Sequence, residues 1–296
     1  QSANAQTQLD DVLKPIRAKY GLPALAAAVV KDGSIIAIGA VGTRLLGTEN
    51  PVAVDDRFHI GSDTKAMTAT LAAKLIDEGK LSWTSTIGDV LGPVIPGFKP
   101  GFAAITLEKL LSHTSGLPTD NEEIAALYYG NAYEATPTEY RRKMISDWGT
   151  KHDIKKADIG HFHYSNLGFI VVGAMIEQIT GSPWEYLIQK EIFEPLGLKT
   201  AGLGPQATMG LYDAPVGHAI DEKSGKITPR PWGPGADAPA VVGPAGIAHM
   251  SVGDFATWAA WNAGEGKRGP ALIKPETIRR LHASRVKMEI PNPKPG

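Results

Sequence analysis

The chain has 296 residues, 43% hydrophobic and 21% charged, with a formal net charge of −1. That balance gives no electrostatic case for nucleic acid or an anionic membrane surface, and no apolar run approaches the roughly 20 residues of a membrane span. Cysteine is absent, which excludes disulfides, thiolate catalysis and cysteine–zinc sites.

The first residues, Gln1 to Asp11, lack an initiator methionine, a basic start and an apolar stretch. A mature end left by signal-peptide removal has this look, so the expected location is periplasmic or secreted. Residues 8–20 read as a short amphipathic helix with Leu9, Val12, Leu13 and Ile16 on one side and Pro15 as an irregularity. Two apolar runs, 22–30 and 34–42, flank Lys31-Asp32-Gly33, which predicts an antiparallel hairpin turning at Asp-Gly.

Phe58 to Gly79 changes period. Met67, Leu71 and Leu75 recur every fourth residue, with Asp63 or Thr64 as a start and Gly79 as a left-handed stop. Spacing of three puts the Ser62 hydroxyl and the Lys65 amine on one face of the first turn. A lysine with a lowered pKa can help deprotonate such a serine, and the free N–H groups of the turn suit an oxyanion. The plainer reading is a capping serine and a solvated lysine, because a pattern this short arises about once by chance in such a chain. Ser284 and Lys287 repeat the spacing without a glycine loop before them and are set aside as a decoy.

Between 80 and 200 the chain reads as glycine- and proline-rich loops, 88–101 above all. Helices are predicted at Leu107–Ser112, about Thr138–Trp148, about Asn166–Thr180 and at Trp184–Ile192. His113 is expected to pin its loop. Tyr164 opens the third of these helices beside Asn166. Such a tyrosine can serve as a base if cations lower its pKa, or it can simply be buried with Asn166 as a cap. Tyr129 and Asn131 match the same letters with no apolar helix behind them. His161 and His163 share a face if extended, but no third metal ligand stands at a telling spacing, so packing beside the site is favoured over a metal.

From 201 strands and loops return. Residues 217–230 read as a hairpin about Ser224-Gly225, and a glycine turn leads to a helix from about Val252 with Asp254 at its positive end. His249 is a candidate for the cleft wall; Trp148, Trp184, Trp258 and Trp261 lie in helical patterns and are expected in the core. The order is α/β, mainly α, then β-rich. It suggests a discontinuous sheet domain, 1–60 with 201–296, interrupted by a mainly helical domain, 61–200.

Taken together, residues 58–69, 78–91, 110–118, 163–181, 191–198 and 242–258 strongly resemble the landmarks of the serine β-lactamase and penicillin-binding-protein superfamily, in its order. The likeness is to the branch of class C β-lactamases, family VIII carboxylesterases, DD-peptidases and D-aminopeptidases. It implies an α/β (α+β) β-lactamase-like fold, an antiparallel sheet flanked by helices with an inserted all-helical domain. It also implies an acyl-enzyme on Ser62, with Lys65 assisting deprotonation, Tyr164 as the proton shuttle, and Asn166 touching both substrate and lysine. The Ser62 N–H would be half of the oxyanion hole. No metal or cofactor is called for, and the substrate would be an ester, a β-lactam or a D-amino-acid amide. Alternatives are a DD-carboxypeptidase or a non-catalytic penicillin-binding-like scaffold.

One landmark departs. The superfamily's third motif, K-T-G or H-x-G on a strand after the G-P-A-G turn, has no match downstream of Gly246. Lys223-Ser224-Gly225 has the letters but precedes the turn and reads as a hairpin tip. The expectation is that C-terminal strands lie outside this chain, with a C-terminal fragment or a second chain completing the sheet.

Overall fold

The computed structural model describes residues 7–130, 135–233 and 235–287. The chain starts with β1 (Thr7–Gln8) and α1 (Asp10–Tyr20), which ends on Gly21 in the left-handed conformation. Then come β2 (Ala24–Lys31) and β3 (Ser34–Gly42), the predicted hairpin, with Ala24 opposite Gly42 and Lys31 opposite Ser34. Asp32 and Gly33 both have positive φ, as the tight turn requires. β1 adds parallel to β3, a pairing the hairpin pattern did not suggest, so the order is β1-β3-β2.

After β4 (Arg57–His59) and a 3-10 turn at Gly61–Asp63 the chain enters α2 (Thr64–Asp77). No side chain caps α2. Thr64 instead turns its hydroxyl back to the Gly61 carbonyl, 2.6 Å. The residues 88–101, read as loop, include two short helices, α3 (Ile87–Leu91) and α4 (Pro100–Ala103). The start of α3 is stabilised by a reciprocal cap: Asp89 N–H donates to the Thr86 hydroxyl while Thr86 N–H donates to the Asp89 carboxylate. Six further helices follow: α5 (Leu107–Leu111), α6 (Glu122–Tyr129), α7 (Pro137–Gly149), α8 (Asn166–Thr180), α9 (Trp184–Ile188) and α10 (Glu194–Leu196). A π stretch at Gln189–Phe193 joins the last two.

Short strands return as β5 (Gly202–Leu203), β6 (Gly217–Ile220) and β7 (Ile227–Arg230). A 3-10 turn at Ala240–Val242 leads to α11 (Gly243–Gly246), β8 (Ala248–Ser251), α12 (Val252–Ala263) and α13 (Pro275–His282). β8 runs between β4 and β5, so the segment after the glycine turn lies beside the strand that leads into Ser62. Lys223-Ser224-Gly225 sits, as read, at the tip of the β6–β7 hairpin, with the Ser224 hydroxyl on Asp221.

The core is centred on α2 and α8. Leu167 through Glu177 are all buried, and α2 hides Thr64, Lys65, Met67, Thr68, Thr70, Leu71, Ala72, Ala73 and Leu75. A four-residue stripe predicted an amphipathic α2; the helix is in fact covered nearly all round. Its threonines make that possible, because Thr68 bonds the Pro244 carbonyl and Thr70 the Ala66 carbonyl. Trp148, Trp184, Trp258 and Trp261 are core residues. α8 can approach α11 closely because Gly173 lies against the Pro244 ring, where a Cβ would collide.

Candidate active site

Three polar groups meet at the start of α2. The Ser62 Oγ lies 2.9 Å from Lys65 Nζ and 2.6 Å from the Tyr164 hydroxyl, so residues 102 apart in sequence converge on one oxygen. Lys65 Nζ also donates to the Ala245 carbonyl at 2.6 Å. The nitrogen lies 4.8 Å from the centroid of the Tyr164 ring and 5.7 Å from that of Phe169. Only 6% of Lys65 is exposed. That burial lowers its pKa, against the raising effects of its bond to Tyr164 and the negative charge of Asp120. Burial and a lowered pKa are the properties that the expected base needs.

Asn166, the first residue of α8, is at the site but not in the expected contact. Its amide nitrogen donates to an Asp120 carboxylate oxygen, 2.7 Å, while the lysine goes to Ser62 and Ala245. The helix is capped by Ser165, whose hydroxyl accepts from Gly168 N–H. That frees Asn166 for the cleft. The other Asp120 oxygen accepts from the Tyr128 hydroxyl, 2.8 Å.

His113 does more than pin a loop. Its carbonyl accepts from His163 N–H and its Nδ1 from Ser165 N–H, so it holds the chain on both sides of Tyr164. Its ring stacks on the tyrosine with centroids 4.5 Å apart. Burial, followed by the charge of Lys65, pushes the imidazole pKa down to about 4, so it remains a neutral acceptor at neutral pH. His161 and His163 are exposed and not on a strand, so the shared-face argument and the packing reading both lapse. Among the described residues no group of three or more histidines, aspartates and glutamates could hold a metal ion.

Two supports were not read from the sequence. His59 accepts the Gly61 N–H on Nδ1 at 3.0 Å and places Nε2 3.0 Å from Asp237, steadying the turn that carries Ser62. Its cross-strand neighbour is His249, a buried residue bonded to the Gly204 carbonyl. Arg141, wholly buried, pairs with Glu177 and Glu185 and donates to the carbonyls of Val241 and Ala240, each 3.1 Å. It thereby anchors the segment that runs into Ala245, the lysine's acceptor. The signal was faint: an arginine among helical polar residues is ordinarily solvated.

A cavity of about 470 Å³ adjoins Lys65 from the side of Trp83, Glu108, Phe169 and Arg280. It reaches neither Ser62 nor Tyr164, so it is not the space an acyl group on Ser62 would take.

The chain is similar to several known proteins. Penicillin-binding protein 4 of Amycolatopsis lactamdurans is 28% identical over 211 residues, 66% of this chain and 48% of that protein. The N-acetylmuramyl-L-alanine amidase of Bacillus subtilis (strain 168) is 30% identical over 200 residues, 60% of this chain and 42% of that one. The chain thus spans about half the length of these curated relatives. Among solved structures, the octameric penicillin-binding protein homologue from Pyrococcus abyssi superposes with a TM-score of 0.75 at 25% identity, covering 94% of this chain and 60% of that chain. The expected fold, helices around an antiparallel sheet in the β-lactamase manner, is the one observed. Residues 9–293 match the family model described as Beta-lactamase, and the chain belongs to that family.

Proposed function

We propose that the chain is a serine hydrolase that works through an acyl-enzyme on an ester, a β-lactam or a D-amino-acid amide. The convergence of Lys65 and Tyr164 on Ser62 Oγ carries this reading. Neutral Lys65 takes the Ser62 proton as Oγ adds to the carbonyl carbon. The Tyr164 hydroxyl then gives its proton to the leaving group and is replenished by the lysine ammonium. Water repeats the cycle in reverse on the acyl-enzyme, and Oγ recovers its proton. The Ser62 N–H would be one donor to the oxyanion; a donor of this kind is worth about 100- to 1,000-fold in rate.

The second donor would come from a strand added to the sheet, by a C-terminal fragment or a second chain. The sheet supports this: among the described residues β2 pairs with β3 alone, and Val29 and Ile36 are exposed on it. Action outside the cytoplasm fits relatives named for penicillin binding and for cleaving an N-acetylmuramyl amide. No described helix is long and apolar enough to cross a membrane.

Labelling with a fluorophosphonate and with a fluorescent penicillin, read by intact mass, tests the proposal. The native protein should gain one adduct and the Ser62→Ala variant none. Absence of label from both would overturn the enzyme reading in favour of a non-catalytic scaffold.

A further inference from the structure

Asp120 stands at the site with a charge that the acyl-transfer chemistry does not need. Its loop is fixed on the far side by Asn121, which caps α6 by accepting Ile124 N–H, 2.9 Å. From α6 the Tyr128 hydroxyl returns to one carboxylate oxygen, and from α8 the Asn166 amide takes the other. Tyr128 is a lasting donor, because burial and the Asp120 charge push its pKa up. Each oxygen thus has one donor from the protein and a further lone pair free. Asp120 is exposed, and among the described residues no lysine, arginine or histidine forms an ion pair with it.

A clamp that only orients Asn166 could be made by a neutral side chain, since the bond needs an acceptor and not a charge. The charge works against the base, because it favours the protonated form of Lys65. Its use is therefore to be sought in what enters the cleft. A carboxylate bonded to Asn166, two residues from the tyrosine that touches Ser62, also acts on any charge carried next to the carbonyl held at Ser62. It repels a substrate carboxylate and attracts an ammonium.

We propose that Asp120 recognises a primary ammonium on the acyl side of the substrate, so that the acids Ser62 takes up are unblocked amino acids or peptides with a free amino group near the scissile bond. The inference rests on the acyl-enzyme reading and adds the substrate class to it. The α-ammonium fills the free lone pairs of the carboxylate while Asn166 is held by its amide nitrogen. Arrival of the ammonium also neutralises Asp120, and with that the effect that favours the charged lysine disappears. The substrate thus helps to free its own base.

The test is a competition that needs no turnover. Aminomethylboronic acid and acetamidomethylboronic acid, which differ in the free or blocked amine, each compete with fluorophosphonate labelling of Ser62. The native protein should favour the free amine by about tenfold or more, and the preference should shrink with added salt. Asp120→Asn should remove the preference and Asp120→Glu should keep part of it. Equal competition by the two boronates, or a preference that survives in Asp120→Asn, overturns the proposal while labelling of Ser62 leaves the hydrolase reading standing. No labelling at all overturns both.

Discussion

The helical half and the sheet half of this molecule stand in contrast. At the α2–α8 junction every group that touches Ser62 is held from at least two directions, and α8 is buried from Leu167 to Glu177. In the sheet, β2 is half-exposed along most of its length and has one partner strand among the described residues. The difference follows from backbone bonding. A helix satisfies its own N–H and C=O groups and can be enclosed on all sides, whereas a strand depends on neighbours for each of them. The reacting groups therefore sit where the chain is self-sufficient.

The contrast is broken most severely at the centre of the helical half. Lys65→Met should cut the rate of Ser62 acylation by about 100- to 10,000-fold, the usual range for a positioned acid–base group, in stopped-flow labelling at pH 7. A variant within threefold of the native rate would show that the lysine is not the base. Arg141→Met comes next. It strands Glu177, 1% exposed, without its cation, and should cost about 3–5 kcal/mol in urea unfolding. The double variant Arg141→Met with Glu177→Gln should recover part of that loss, because the uncompensated charge is gone.

His113 supplies a graded effect. Its pKa is near 6.5 when unfolded and about 4 when folded. Between those values the unfolded chain binds a proton that the folded chain does not, so stability falls as pH drops through the window and is unaffected above it. His113→Asn, which keeps an acceptor for Ser165 N–H, should flatten the slope of stability against pH from about 6.5 to about 4. Chemical denaturation at several pH values reads this out, and an unchanged slope would assign the acid sensitivity to other groups.

How much of this was legible follows the same division. The hairpin and α8 from Asn166 to its left-handed end at Gly181 were readable from local period and turn chemistry, and the meeting of Ser62, Lys65 and Tyr164 only through the resemblance of the ordered motifs to the superfamily. The burial of α2 was not, because its threonines count as polar letters until their carbonyl partners are known. Asp120 was missed because nothing near it in sequence announces a partner; Asn166 and Tyr128 reach it from two helices. Arg141 was missed for a related reason. A buried ion network is made of residues that sequence patterns assign to solvent.

The smallest effect is the one that tests the weak side of the comparison. Val29 lies on β2 with 44% of its surface exposed, so little apolar area is lost when it is replaced. Val29→Lys keeps an aliphatic stem along the sheet and puts the ammonium in water, and a substitution of that kind belongs within about 0.5 kcal/mol of neutral. That is the expected outcome for residues 1–296 expressed alone, read by thermal and urea unfolding. The same change in a form of the protein that carries added sequence should cost more if that sequence covers the sheet, since a lysine would then be buried without a partner. A loss of about 2 kcal/mol or more in the extended form, beside near-neutrality in the short one, would place the covering segment over β2. Equal small effects in both would leave this face to solvent and move the search for the second oxyanion donor to another wall of the site.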